Sequence, residues 1–230
     1  YVELKDSYKS IYESLIHASA SLAKGLSIKW IHSETINKKN ISNQLIGCNG
    51  VIIAPGFGGR GIEGKIIAVK YIRENKIPFL GICLGMQVAV IEFFRNVCKK
   101  KGAHSTEMNP NTSYPVIDLM KNQINIANKG GTMRLGSYQC KLKKDSIVFS
   151  AYKHTYIKER HRHRYELNNK YKSDLVLNGM DITGYNEDLN LVEIIELKNH
   201  PWFVGVQFHP EYQSSFITPH PLFVSFVRAL

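Results

Sequence analysis

Cys83 stands in Gly81-Ile82-Cys83-Leu84-Gly85, and a histidine and a carboxylate stand together in Phe208-His209-Pro210-Glu211. A thiol, an imidazole and a carboxylate are the parts of a nucleophilic acyl-transfer site, in which the base activates the nucleophile and the acid orients the base. The setting of Cys83 has the form of a nucleophile elbow with cysteine where hydrolases carry serine. Glycine on either side removes side chains that would collide in a sharp strand-to-helix turn. The N-terminal partial charge of the following helix favours the reactive thiolate. The Leu84 backbone N–H is placed to meet an oxyanion. A buried structural cysteine is the competing reading, since free cysteine is among the most buried residue types. Cys48, Cys98 and Cys140 lack the glycine context and read as structural.

The run Trp202 to Phe208 reads as a strand that ends at His209. Pro210 stops it, and the turn brings the Glu211 carboxylate back towards the imidazole. His17, His32 and His154 have no such neighbour. The loop Pro55-Gly56-Phe57-Gly58-Gly59-Arg60-Gly61 can supply a second oxyanion donor, with Gly56 as the expected N–H. A phosphate-binding loop is the alternative for this segment, but the Walker lysine and Ser/Thr are absent.

These residues need a scaffold of alternating elements. Val2 to Leu4 reads as a strand, Tyr8 to Lys24 as a helix carrying Ile11, Leu15, Ala18 and Leu22 on one face with Asp6 or Ser7 as cap, and Leu26 to Ile31 as a second strand. Val51 to Ala54 and Pro78 to Ile82 read as short buried strands, and Glu63 to Asn75 and Met86 to Val97 as helices. Such alternation predicts an α/β fold with a central, mostly parallel sheet flanked by helices. In the second half Thr132 to Lys144, Val192 to Leu197 and Phe203 to Phe208 have strand composition, and Pro221 to Leu230 reads as a short helix. Residues 108–129 read as a loop with one strand near Val116. No repeat or linker divides the chain, so one domain over residues 1–230 is expected.

Composition narrows the function classes. Hydrophobic residues make up 43% and charged residues 21% of 230, as in soluble globular proteins. No apolar run reaches the ~18 residues of a membrane helix, and no signal peptide is visible. The absent initiator Met suggests a piece of a longer chain. The four cysteines have no metal-ligand spacing, which favours reduced thiols and a cytoplasmic location without a metal. The net charge of +11 could serve a polyanion, but the lysines are scattered and no nucleic-acid motif accompanies them. Arg160, Arg162 and Arg164 would share one face of a strand, with His161 and His163 on the other.

Gly81-Ile82-Cys83-Leu84-Gly85-Met86-Gln87 with Phe208-His209-Pro210-Glu211 resembles the class I, triad-type glutamine amidotransferases. Further segments narrow the likeness to the glutaminase domains of the CTP synthase family. They are Arg60 to Lys65, Ala103 to Glu107, Gly130 to Gly136, Glu159 to Glu166 and His200-Pro201-Trp202-Phe203. The resemblance runs from Tyr1 to Leu230. It implies a class I amidotransferase fold and hydrolysis of L-glutamine to glutamate and ammonia through a cysteine thioester, with Cys83, His209 and Glu211 as triad. Gly56, Leu84, Gly85, Met86, Gln87, Glu107 and Arg164 match the glutamine-binding positions. No cofactor is implied for this part. Mg and ATP would serve a synthase domain elsewhere in the polypeptide, where ammonia aminates UTP to CTP. GTP is implied as allosteric activator at the domain interface and a homo-tetramer for the full enzyme, with no nucleic-acid or membrane partner. The chain departs from the family at Ala54-Pro55, where Pro-Gly is usual. A glutaminase subunit serving another acceptor and a non-catalytic regulatory module of the same fold are the alternatives.

Overall fold

A computed structural model describes residues 4–119 and 133–230. Along the chain the regular elements are α1 (Lys9–Ser21), α2 (Ile41–Gln44), β1 (Val51–Ile53), α3 (Ile62–Glu74), β2 (Phe79–Ile82) and α4 (Leu84–Asn96). Then follow β3 (Ala103–Ser105), β4 (Tyr114–Leu119), β5 (Arg134–Leu142), α5 (Ile147–Tyr152), β6 (Tyr156–His163) and β7 (Tyr165–Leu167). The last are α6 (Lys172–Leu177), β8 (Met180–Asn186), β9 (Leu191–Leu197), β10 (Phe203–Val206) and α7 (Pro221–Arg228).

Seven strands form one sheet in the order β1-β2-β10-β9-β8-β5-β6, and β3-β4-β7 form a second. Pairing is parallel across β1, β2 and β10 and antiparallel from β10 to β6. The expected parallel sheet is thus the half that carries the nucleophile, and the sheet as a whole is mixed. The remainder is antiparallel because β8 and β9 are joined by a short turn and β5 and β6 by only a short helix. Neither connection is the long crossover that parallel pairing requires.

Alternation of side chains along β2 and β10 builds a core on each face. Phe79 and Phe203 stack at 4.2 Å between ring centroids on one face, together with α3 and α4. Leu80, Ile82, Val204 and Val206 face α1 and α7 on the other. Helix α4 touches both the main sheet and β3 and β4. It is therefore buried along one whole run from Leu84 to Phe94, with its two polar side chains there, Gln87 and Glu92, paired to the Tyr165 carbonyl and Arg73. Burying Val88, Ile91 and Phe94 stabilises the fold by roughly 1.5–3 kcal/mol each.

Several expectations need correction. Residues 26–31 form no strand, although Leu26 and Ile28 pack against one core and Ile31 against the other. The alternation that suggested a strand is satisfied by packing alone, without ladder bonds. Helix α1 begins after a 3-10 turn at Lys5–Tyr8, and its N-cap Tyr8 has no side-chain cap, so neither Asp6 nor Ser7 serves. The strand expected at residues 2–4 and the loop at 120–129 fall mostly outside the described residues, while the strand near Val116 is β4.

Candidate active site

The strand β2 delivers Cys83 to the start of α4, and the Cys83 N–H donates to the Val206 carbonyl at 2.7 Å, tying the elbow to the end of β10. Cys83 has φ 52°, a region an L-residue occupies only when its surroundings impose it. Gly81 and Gly85 make room for it. A Cβ on Gly81 would lie 2.7 Å from the Gly85 carbonyl carbon, and one on Gly85 would lie 2.2 Å from the Ile53 carbonyl oxygen. The two glycines let the strand, the first turn of α4 and the neighbouring strand β1 close on one another. The first N–H groups of α4 have no intrahelical acceptor and remain as anion donors.

His209 follows β10, and its own N–H donates to the Arg160 carbonyl at 2.8 Å. Its Nδ1 is 2.7 Å from Glu211 Oε1, and its ring stacks on Tyr212 with centroids 5.0 Å apart. Nε2 is buried and makes no hydrogen bond of ordinary geometry, which leaves it available to the reacting groups. Burial pulls the imidazole down. Interaction with Cys83, then with Glu211, outweighs burial and raises it to about 10. The histidine is therefore held as an imidazolium beside the sulfur, ready to protonate a leaving group.

Gly56 lies against the elbow, since a Cβ there would be 3.3 Å from Leu84 Cδ2 and 3.9 Å from Lys65 Nζ. The two expected oxyanion donors, Gly56 and Leu84, are thus neighbours. Lys65, which the sequence reading did not single out, extends from α3 to this point. Burial pulls its ammonium below the usual lysine range, and the charge of Cys83 pulls it back up. Glu107 Oε1 accepts the Gly58 N–H at 3.0 Å, pinning the glycine loop to the turn after β3. Arg164 sits between β6 and β7, half-buried, with a buried Nε that has no partner. Glu107 and Arg164 both act electrically on Tyr165, which places an acid and a guanidinium near one residue, whose carbonyl accepts from Gln87 on α4.

The Arg160 to Arg164 run divides as expected only in part. Arg160 and Arg162 lie on the exposed face of β6 and His161 and His163 on the buried one, but Arg164 is past the strand end and turns inward. Met86 is wholly buried in the core, so any contact it makes with a ligand is through its backbone. Gln87 is buried too, donating to the Tyr165 carbonyl at 2.9 Å and to Gln207 Oε1 at 3.3 Å. Behind the triad lies a polar layer that sequence reasoning missed. Arg134 Nη2 is 2.7 Å from Glu193 Oε1, and Nη1 is 3.8 Å from Glu166 Oε2. His161 and His163 bond each other at 2.9 Å. Its signal was present as period-two polar alternation in Glu159, His161 and His163.

The sequence profile described as glutamine amidotransferase class-I matches residues 3–229. The chain belongs to that family. This amidotransferase is 63% identical over 229 residues to a CTP synthase of Christiangramia forsetii and 57% identical to one of Clostridium kluyveri. All of the chain is covered in each alignment, but only 42% and 43% of those relatives, so the chain spans less than half their length. Among solved structures, the glutaminase domain of Trypanosoma brucei CTPS, with bound acivicin, matches with a TM-score of 0.93 and 36% identity, covering 100% of this chain and 90% of that one. A putative GMP synthase subunit from Thermoplasma acidophilum, at 17% identity and a TM-score of 0.62, shares the fold. The amidotransferase is thus a glutaminase domain of the CTP synthase kind. Among the described residues no helix is long and apolar enough to cross a membrane, and no group of three His, Cys, Asp or Glu is arranged to hold a metal.

Proposed function

We propose that Cys83, His209 and Glu211 hydrolyse L-glutamine and that the ammonia serves a synthase domain of the full-length protein, which aminates UTP to CTP at the expense of ATP. The observation that supports this most is the elbow itself: a cysteine at positive φ on a helix N-terminus, with an imidazolium oriented by a carboxylate at 2.7 Å. Cys83 Sγ attacks the side-chain amide carbon, and the oxyanion is met by the Gly56 and Leu84 N–H groups. His209 Nε2–H gives its proton to the nitrogen as the C–N bond breaks, releasing ammonia and leaving a thioester. His209 then takes a proton from water as the hydroxide adds to the thioester carbon, the C–S bond breaks to restore the Cys83 thiolate beside the imidazolium, and glutamate leaves with its acid proton passing to solvent.

Arg164 holds the substrate α-carboxylate, since a guanidinium offers two parallel hydrogen bonds, and Glu107 holds the α-ammonium. Leu84 to Gln87 line the reacting end through backbone groups. ATP and Mg act in the synthase domain, and no step above passes through them. GTP as activator at the domain interface, a homo-tetramer of the full enzyme and a cytoplasmic location complete this reading.

Two measurements on the full-length protein test it. A glutamine-mimicking electrophile should label Cys83, glutamine should protect it, and Cys83→Ala should abolish glutaminase activity without unfolding the protein. Label on Cys48, Cys98 or Cys140 with Cys83 free would overturn the assignment. Arg164→Ala should lower kcat/KM for glutamine by roughly 30-fold or more, the cost of an unpaired charge in a partly closed site. Arg164→Lys should restore only part of this, because an ammonium lacks the planar fork.

A further inference from the structure

Gln207 interrupts the apolar run Trp202-Phe203-Val204-Gly205-Val206 and precedes Phe208 and the catalytic histidine. It is 0% exposed. A buried amide carries a desolvation cost unless its hydrogen bonds are made. Those bonds lead to the nucleophile: Gln207 Nε2 lies 3.7 Å from Cys83 Sγ, and Gln207 Oε1 accepts from Gln87 Nε2 at 3.3 Å. The backbone N–H of Gln207 donates to the Glu193 carbonyl at 2.9 Å, so the residue is fixed at both ends.

We propose that Gln207 is a further catalytic residue of the glutaminase reaction, its amide donating to the Cys83 thiolate, and that Gln87 is the positioning residue that sets the direction of that amide. The inference rests on the glutaminase reading and extends it.

Three connected bonds fix the direction. An amide side chain can present either oxygen or nitrogen, so its orientation must come from its partners. The Tyr165 carbonyl can only accept, and Gln87 Nε2 stands 2.9 Å from it. Gln87 therefore turns nitrogen towards Tyr165 and Gln207 alike. Gln207 must answer with oxygen, and its nitrogen is left facing the sulfur. Reversal would set two NH2 groups against each other and an oxygen against the thiolate. The amide N–H binds the sulfur most strongly when it is an anion, because charge-assisted bonds are the stronger ones. The bond weakens when the sulfur becomes a thioester, so the stabilisation is confined to the attacking state. The relay begins at Tyr165, next to Arg164, and so joins the substrate carboxylate site to the nucleophile.

Other groups also act on Cys83: His209 after β10, itself paired with Glu211, Lys65 from α3, Tyr212 from the turn after the histidine, and the N-terminus of α4. Gln207 differs from those four side chains in having no titrating group, so like the helix N–H groups it adds a donor without adding a titrating neighbour.

The test uses the full-length protein with Gln207→Met, which keeps the volume and removes the donor, and Gln87→Met, which removes the orienting partner. The readouts are the pH profile of Cys83 alkylation by iodoacetamide, followed by peptide mass spectrometry, and steady-state glutaminase kinetics. Circular dichroism melts establish folding. Gln207→Met should move the alkylation midpoint up by about one pH unit and lower kcat about ten-fold with KM within about two-fold. Gln87→Met should move the midpoint the same way by less. A folded Gln207→Met protein with the wild-type alkylation profile would overturn the proposal. If that variant does not fold, an unmoved profile in Gln87→Met overturns it instead. Iodoacetamide does not need the glutamine site, so a wild-type protein that alkylates normally yet releases no ammonia would sink the glutaminase reading alone.

Discussion

Two buried histidine sites in this protein are made of similar parts and hold opposite charge states. His209 and His163 are each 5% exposed, and each has a carboxylate nearby: Glu211 Oε1 at 2.7 Å from His209 Nδ1, and Glu166 Oε1 at 3.7 Å from His163 Nδ1. Burial works against the charged imidazole in both. At His209 interaction with Cys83 and then with Glu211 overcomes it and raises the group to about 10. At His163 burial is joined by the charge of Arg134 and of His209 itself, and the group falls to about 3. The carboxylates of the polar layer do not help, because burial raises Glu166 to about 8 and Glu193 to about 7 despite Arg134. One guanidinium is shared between two carboxylates, so one of them keeps its proton near neutrality. The two sites differ in what faces the imidazole: Cys83 and Glu211 at His209, a guanidinium and a second histidine at His163.

The comparison breaks most visibly at His209. His209→Ala should lower glutaminase kcat by on the order of 10²–10⁴, the usual worth of a general acid-base. Steady-state assay of ammonia release checks this, and a loss below ten-fold would show that another group carries the proton. Arg134→Met acts on the other site. Removing the one cation leaves buried carboxylates unpaired and should cost about 3–5 kcal/mol in urea denaturation. It should also raise the His163 titration seen by NMR.

The smallest effect sharpens the contrast through pH. Glu166 has a folded-state pKa raised from 4.5 to about 8. Its contribution to stability is therefore fully present below about pH 4.5 and is lost as pH rises through about 8. His163 is lowered from 6.5 to about 3, so its contribution is present above about pH 6.5 and lost as pH falls towards 3. Glu166→Gln keeps the neutral form at every pH. Its melting temperature should differ little from wild type near pH 5 and should gain on wild type as pH rises to about 8. A constant difference across that range would show that Glu166 is already ionised.

The residues of the proposed triad could be picked out in the sequence because they lie in two short contiguous motifs, Gly81 to Gly85 and His209 to Glu211. Local spacing alone supplies a strand end, a turn and a helix start there. The polar layer was not legible for the opposite reason. Arg134, His163, Glu166 and Glu193 come from or adjoin four strands, and only the antiparallel pairing of β5, β6, β8 and β9 with the approach of β7 brings them together. Hydrophobic periodicity also fails on β6, whose buried face after Ile157 is Glu159, His161 and His163. The Leu26 to Ile31 segment misled in the converse way, since its apolar alternation serves packing and no sheet. Gln207 was visible as a polar residue in an apolar run, but its partner Gln87 lies 120 positions away.

The close approach of Gly85 to the Ile53 carbonyl oxygen couples chemistry to the completeness of the fold. β1 is the edge of the main sheet and only three residues long. Its carbonyl nevertheless packs against the first turn of α4 at Gly85, two residues after Cys83 with its positive φ. The thiol can take its attacking geometry only once that short edge has docked. Thiol reactivity during refolding should therefore report the docking of that edge.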